Sequence, residues 1–199
     1  MTVSLQKGQR IDLTKGNAQL DRIQVGLGWD SASASSTKKK GFLAALTPQI
    51  DCDASVIMLQ DGKFQSKKDL IYFMNKKSNC KSVIHSGDNL TGKGSGDDEV
   101  ITVDLKSVPA SYDKIVFVVN IYSCVSRKQD FGMISNAFIR IVDPTTGNEL
   151  VKYNLSDDYQ GLTSLIVGEI YRHGQEWKFS ATGDGTTDKT VNEICQRFA

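Results

Sequence analysis

The sequence predicts an all-β protein: a β-sandwich of two mostly antiparallel sheets with short helical segments, including a C-terminal helix. Three observations carry that reading. Apolar and polar residues alternate with period two along several segments. Other segments are short runs of β-branched and aromatic residues. Turn signals separate these runs, as expected for many short strands packed in two layers.

The segments follow in order. Ile23, Val25, Leu27 and Trp29 alternate with Arg22, Gln24, Gly26 and Gly28, which gives a strand with one buried face. Val56 to Leu59 is an apolar run closed by the turn signal Asp61-Gly62, and Leu70 to Phe73 follows. Val100, Thr102 and Asp104 alternate with Ile101, Val103 and Leu105. Lys114 to Tyr122 is β-branched and aromatic almost throughout, which suits a central strand covered on both faces. Ala137 to Val142 runs into the turn Asp143-Pro144-Thr145-Thr146-Gly147. Leu165–Tyr171 and Glu176–Ser180 flank His173-Gly174 and form a hairpin. Ser107 to Tyr112 is expected to make a helical turn around Pro109. Thr187 to Phe198 is expected to be helical, with Thr187 as N-cap and Val191, Ile194 and Cys195 on one face. Ser31 to Lys40 is a low-complexity stretch read as a surface loop, so deleting Ser33 to Lys39 should change little. The 199 residues are read as one domain.

Charge is nearly balanced, with 24 Lys and Arg against 23 Asp and Glu. That balance gives no case for nucleic acid as a partner. No apolar run approaches the length of a membrane span, and no export signal opens the chain, so a cytoplasmic location is expected. The four cysteines are scattered without a C-x-x-C pair and read as reduced thiols.

Acidic residues, by contrast, are crowded locally. Gly87 to Glu99 sets Asp88, Asn89, Asp97, Asp98 and Glu99 among four glycines. Asp51 and Asp53, two apart, place both carboxylates on one face of a strand. Asp30 ends the Trp29 strand, and strand ends in a sandwich gather at a rim. Like charges packed this closely repel unless a cation sits among them. Oxygen ligands without His or Cys suit a hard cation, and a flexible many-oxygen loop suits calcium. The spacing is not that of an EF-hand. On residues alone, two alternatives stay open: a solvated acidic loop, and a phosphate cradle at Gly92-Lys93-Gly94-Ser95-Gly96 that its acidic neighbours disfavour.

The chain resembles the TerD family of tellurium-resistance and stress proteins. The resemblance rests on Val25-Gly26-Leu27-Gly28-Trp29-Asp30, Asp51-Cys52-Asp53-Ala54-Ser55 and the Gly87–Glu99 loop. It extends through Val108-Pro109-Ala110, Asp113 to Val119, Asn136 to Val142, Gly168 to Arg172 and Glu176 to Phe179. It implies a β-sandwich whose clustered loops bind calcium, commonly two ions, in a protein of stress resistance. The ligands it implies are Asp30, Asp51, Asp53, Asp88, Asn89, Asp97, Asp98 and Glu99. Two departures stand out. Gln49 and Ser95 occupy positions where family members often carry an acidic residue, so the two sites should be unequal.

His85 and His173 lack a Ser or Cys motif around them, and His173 is expected to be exposed in a turn. Trp29 and Trp177 are expected to pack in the core or at its rim. Cys52, between two candidate ligands, should turn to the opposite face and into the core. Removing Asp53 or Asp98 is expected to cost the ion-free protein little, since it relieves repulsion. The reading is therefore a cytoplasmic, non-enzymatic, calcium-binding stress-response protein. Its ordered rim would serve a protein partner or a membrane-associated assembly. The alternatives are a small-molecule or nucleotide-binding module using the bound metal, and a metal-dependent hydrolase.

Overall fold

Two six-stranded sheets pack face to face, so the sandwich expected from the alternation is what forms. The structure is a computed structural model and describes residues 2–17, 19–31, 50–86 and 96–199. The Ser31–Lys40 stretch, Gln49, Asp88, Asn89 and Ser95 lie outside the described residues, except for the backbone of Ser31, which ends a strand. The expectations placed on them therefore stand as stated.

The strands are β1 (Val3–Leu5), β2 (Arg10–Asp12), β3 (Arg22–Ser31), β4 (Cys52–Leu59), β5 (Leu70–Ile71), β6 (Val83–His85), β7 (Glu99–Asp104), β8 (Lys114–Ile121), β9 (Ile134–Val142), β10 (Glu149–Asn154), β11 (Ser164–His173) and β12 (Glu176–Thr186). Two short helices, α1 (Cys124–Arg127) and α2 (Val191–Gln196), accompany them. The first sheet runs β1-β10-β9-β3-β7-β6 and the second β2-β12-β11-β8-β4-β5. β1 and β10 pair in parallel; the other ladders are antiparallel.

Alternation explains which side chains fill the interlayer core. Ile23, Val25 and Leu27 of β3 meet Val56 and Met58 of β4, Ile115 and Phe117 of β8, and Phe179 of β12. β8 is covered on both faces, as its unbroken apolar run predicts. Val116 and Val118 turn outward with Ile57 and Leu59 of β4, where Ile194 and Cys195 of α2 cover them.

α2 is shorter than expected and starts later. Its N-cap is Thr190, whose hydroxyl accepts from Glu193 N at 3.3 Å, while the Glu193 carboxylate accepts from Lys189 N at 2.9 Å. Thr187 is not the cap, because the next residue, Asp188, is tied to the sheet. Its carbonyl accepts from the Thr163 hydroxyl at 2.6 Å and the Ser164 hydroxyl at 2.8 Å. Its carboxylate accepts from Thr186 and from Arg197. The segment Ser107 to Tyr112 forms turns rather than a helical element, closed by Tyr112 N donating to Pro109 O at 3.0 Å.

Candidate metal site at the sandwich rim

One rim of the sandwich collects the end of β3, the start of β4, the end of β6, the start of β7 and the end of β8. Every acidic residue of the expected set that the structure describes lies there. Their combined field is felt by Cys52, which faces the core as expected and is buried. Burial, and then the charges of Asp53, Asp51, Glu99 and Asp98, hold its thiol pKa well above the ordinary value.

Proximity does not make the carboxylates equivalent. Glu99 points inward with Ile101 and Val103, between the sheets, and is 1% exposed. Its Oε2 accepts from Ala54 N of the opposite sheet at 2.9 Å and lies 3.1 Å from His85 Nε2. His85 Nε2 is also 3.0 Å from the Ala54 carbonyl, which can only accept, so Nε2 carries the proton. Burial works against a charge on His85. The Glu99 carboxylate and the Ala54 carbonyl outweigh it and hold the imidazole pKa above its ordinary value. Glu99 and His85 thus clamp β7 and β6 of one sheet to β4 of the other. His85 was not singled out from sequence as part of the site. Extending the Ile101–Val103 alternation back one step places Glu99 inside, and Val83 does the same for His85.

Asp97 faces the other way, onto the outer surface of the first sheet. Arg140 holds it with two bonds, Nε to Oδ1 at 2.7 Å and Nη2 to Oδ2 at 3.0 Å, and reaches Glu149 at 3.2 Å. Arg140 pairs with Gly26 across β9 and β3. A Cβ at Gly26 would strike the Asp97 carboxylate, and one at Gly28 would strike the Phe138 ring. The two glycines of the β3 motif therefore keep that face flat enough for side chains of neighbouring elements to lie across it.

Asp98 closes the β3–β7 ladder. Its backbone N donates to Leu27 O at 2.8 Å, and its Oδ2 accepts from Trp29 N at 2.8 Å, beside a bulge between Gly28 and Asp30. Burial, then repulsion from Asp30 and Asp97, raises its pKa despite the Trp29 N–H. This corrects the expectation that Asp98→Ala costs the ion-free protein little. The alanine strands a backbone donor and should cost roughly 1–3 kcal/mol. Asp98→Asn keeps an acceptor and removes the charge, so it should melt at or above the parent. Paired melting curves check this; equal losses in both variants would mean that the charge itself is stabilising. Asp30 is exposed, with its Oδ2 accepting from Asn136 Nδ2 at 2.9 Å.

Asp51 and Asp53 leave the core on the outer face of the second sheet. Asp53 is 6% exposed. Asp51 Oδ2 lies 3.4 Å from Arg127 Nη1 of α1, while its Oδ1 is buried without a hydrogen-bond partner among the described residues. A buried carboxylate oxygen left this way is unfavourable unless a donor or a cation answers it. The all-oxygen donors here fit a hard cation. Asp97, with both oxygens held by Arg140, does not. Among the described residues, no three His, Cys, Asp or Glu side chains already converge as a metal centre.

Beside Asp30 and Asp98 opens a cleft of about 640 Å³, walled also by Trp29, Asn136, Phe138 and Lys152. The Lys152 ammonium sits 4.5 Å from the centroid of the Phe138 ring.

Comparison with known proteins gives the kinship. The TerD domain model matches residues 1–198. Stress response protein SCP2 of Bacillus subtilis (strain 168) is 60% identical over 198 residues, covering all of both chains. Tellurium resistance protein TerD of Serratia marcescens is 42% identical, over 100% of this chain and 97% of its own. The crystal structure of SCO6318 from Streptomyces coelicolor A3(2), titled a homologue of telluride resistance protein (TerD), superposes with a TM-score of 0.65 at 21% identity. It covers 90% of this chain and 98% of that one, and it supports the fold alone. Sequence motifs, sandwich and family model agree, and the chain belongs to the TerD family.

Proposed function

We propose that the protein is a calcium-binding stress-response protein of the TerD type, acting without catalysis as a calcium-ordered interaction module. The observation that carries the reading is the buried Asp51 Oδ1, without a hydrogen-bond partner among the described residues, two positions from the buried Asp53. Asp51 and Asp53 would hold the cation, with Asp30 and Asp98 supplying further charge at the same rim. The cation would cancel their repulsion and fix the loops that join these strand ends. The names of the relatives, stress response and tellurium resistance, support the physiological setting.

The non-catalytic reading is supported by the state of a buried acid–base pair. His85 and Glu99 are sealed, with side chains 0% and 1% exposed, and both are engaged in bonds between the sheets. An interaction role is supported by Tyr122, 48% exposed, whose backbone N donates to Asp51 O, and by Val125 of α1, 62% exposed. They would offer a rim surface to a protein partner or an assembly at a membrane. Among the described residues, no helix is long and apolar enough to cross a membrane. A cytoplasmic site of action is part of the proposal.

The cleft beside Asp30 and Asp98 favours one second reading, a small-molecule module in which an anion meets Lys152 and a metal held at Asp30 and Asp98. Melting curves of chelator-treated protein test the main reading. Calcium at 100 times its dissociation constant should stabilise by about 2.7 kcal/mol, a rise of roughly 5–10 °C for a chain this size. Magnesium, which demands short octahedral bonds, should do much less. Equal rises with both ions would contradict calcium selectivity.

A further inference from the structure

We infer that Asn120 of β8 supplies a neutral oxygen ligand to the cation held at Asp51 and Asp53. The site is then built from two strands rather than from the D-x-D segment alone. This inference rests on the calcium reading above.

Register supplies the first argument. Asn120 is the direct partner of Asp53 in the β4–β8 ladder. Opposed side chains in such a ladder have Cβ atoms about 4.5–5.5 Å apart. Face supplies the second. Cys52, Ala54 and Val56 of β4, with Phe117, Val119 and Ile121 of β8, fill the interlayer core. Ile57, Val116 and Val118 turn outward. By alternation Asp53, Ser55 and Asn120 share that outer face.

The third argument is unmet hydrogen-bonding capacity. Asn120 is 6% exposed and its Oδ1 has no hydrogen-bond partner among the described residues. The same is true of Ser55 Oγ, on a residue 1% exposed, and of Asp51 Oδ1. A single buried oxygen without a partner calls for a local explanation. Three on adjoining positions of two paired strands, around a buried carboxylate, call for a common one. A cation answers oxygen acceptors together, where one N–H answers only one. Mixed carboxylate and amide oxygens are a calcium donor set; zinc would favour nitrogen or sulfur. Arg127 already brings positive charge to the far oxygen of Asp51. Asp51 Oδ1, Ser55 Oγ and Asn120 Oδ1 are the oxygens left unanswered among the described residues.

Two substitutions in chelator-treated protein test this, read by ion-free melting and by calcium titration calorimetry. Asn120→Leu replaces an amide whose oxygen is unanswered among the described residues with an apolar group of similar size. It should melt at or above the parent without ion, yet bind calcium roughly tenfold more weakly. Asn120→Asp sets a carboxylate opposite Asp53. It should melt lower without ion and bind calcium more tightly. A purely structural Asn120 would move melting and affinity in the same direction in each variant. Parent-like calcium affinity in both variants overturns the inference and leaves the calcium reading intact. A parent that binds no calcium overturns both.

Discussion

Glu99→Ala should lower the melting temperature of the ion-free protein by on the order of 10 °C. The carboxylate is buried between the sheets, where it accepts the Ala54 N–H and faces the His85 imidazole. Removing one partner of a buried charged pair costs about 3–5 kcal/mol, because the other partners are left without compensation. For a chain of this length each kcal/mol moves the midpoint by roughly 2–4 °C. Glu99→Gln should cost clearly less, since its amide oxygen can still take the Ala54 N–H. Calorimetry or circular-dichroism melting measures both. A Glu99→Ala protein that melts like the parent but loses calcium would show that Glu99 is a ligand first and a clamp second.

Asp53→Asn is expected to have the opposite profile. It should weaken calcium binding by on the order of a hundredfold, since carboxylate charge at the site sets affinity. Without ion it should melt at or slightly above the parent, because it removes a like charge near Asp51 and keeps the side-chain shape. Calcium titration of the variant beside its ion-free melting curve measures both effects. Unchanged affinity would place the cation away from β4. A large loss of ion-free stability would mean that the Asp53 charge itself stabilises the folded chain.

Much of the fold was legible because β3, β8, β11 and β12 are long enough for alternation or unbroken β-branching to stand out. β1 and β2 are three residues each and take their place by pairing with β10 and β12, which no local pattern reveals. β10 alternates only through Val151 and Tyr153, too short a pattern to stand out. Thr187 and Thr190 offer the same chemistry as helix caps. Thr163, Ser164 and Thr186 decide between them by tying Asp188 to the sheet, and these contacts are long-range.

The acidic rim was legible as a gathering and illegible as a division of labour. Composition marks Asp97, Asp98 and Glu99 as three adjacent acids. Strand geometry sends Glu99 inward and the two aspartates elsewhere, and only Arg140, distant in sequence, shows that Asp97 is neutralised by the protein. Asn120 was visible as the lone polar side chain inside the β8 run. Its relevance depends on the register that sets it opposite Asp53.

The central claim is that this rim holds calcium, and titration calorimetry of chelator-stripped protein with calcium tests it most directly. The account predicts saturable binding in unequal steps, with the response to magnesium much weaker. No saturable binding of calcium by the stripped, folded protein would contradict it.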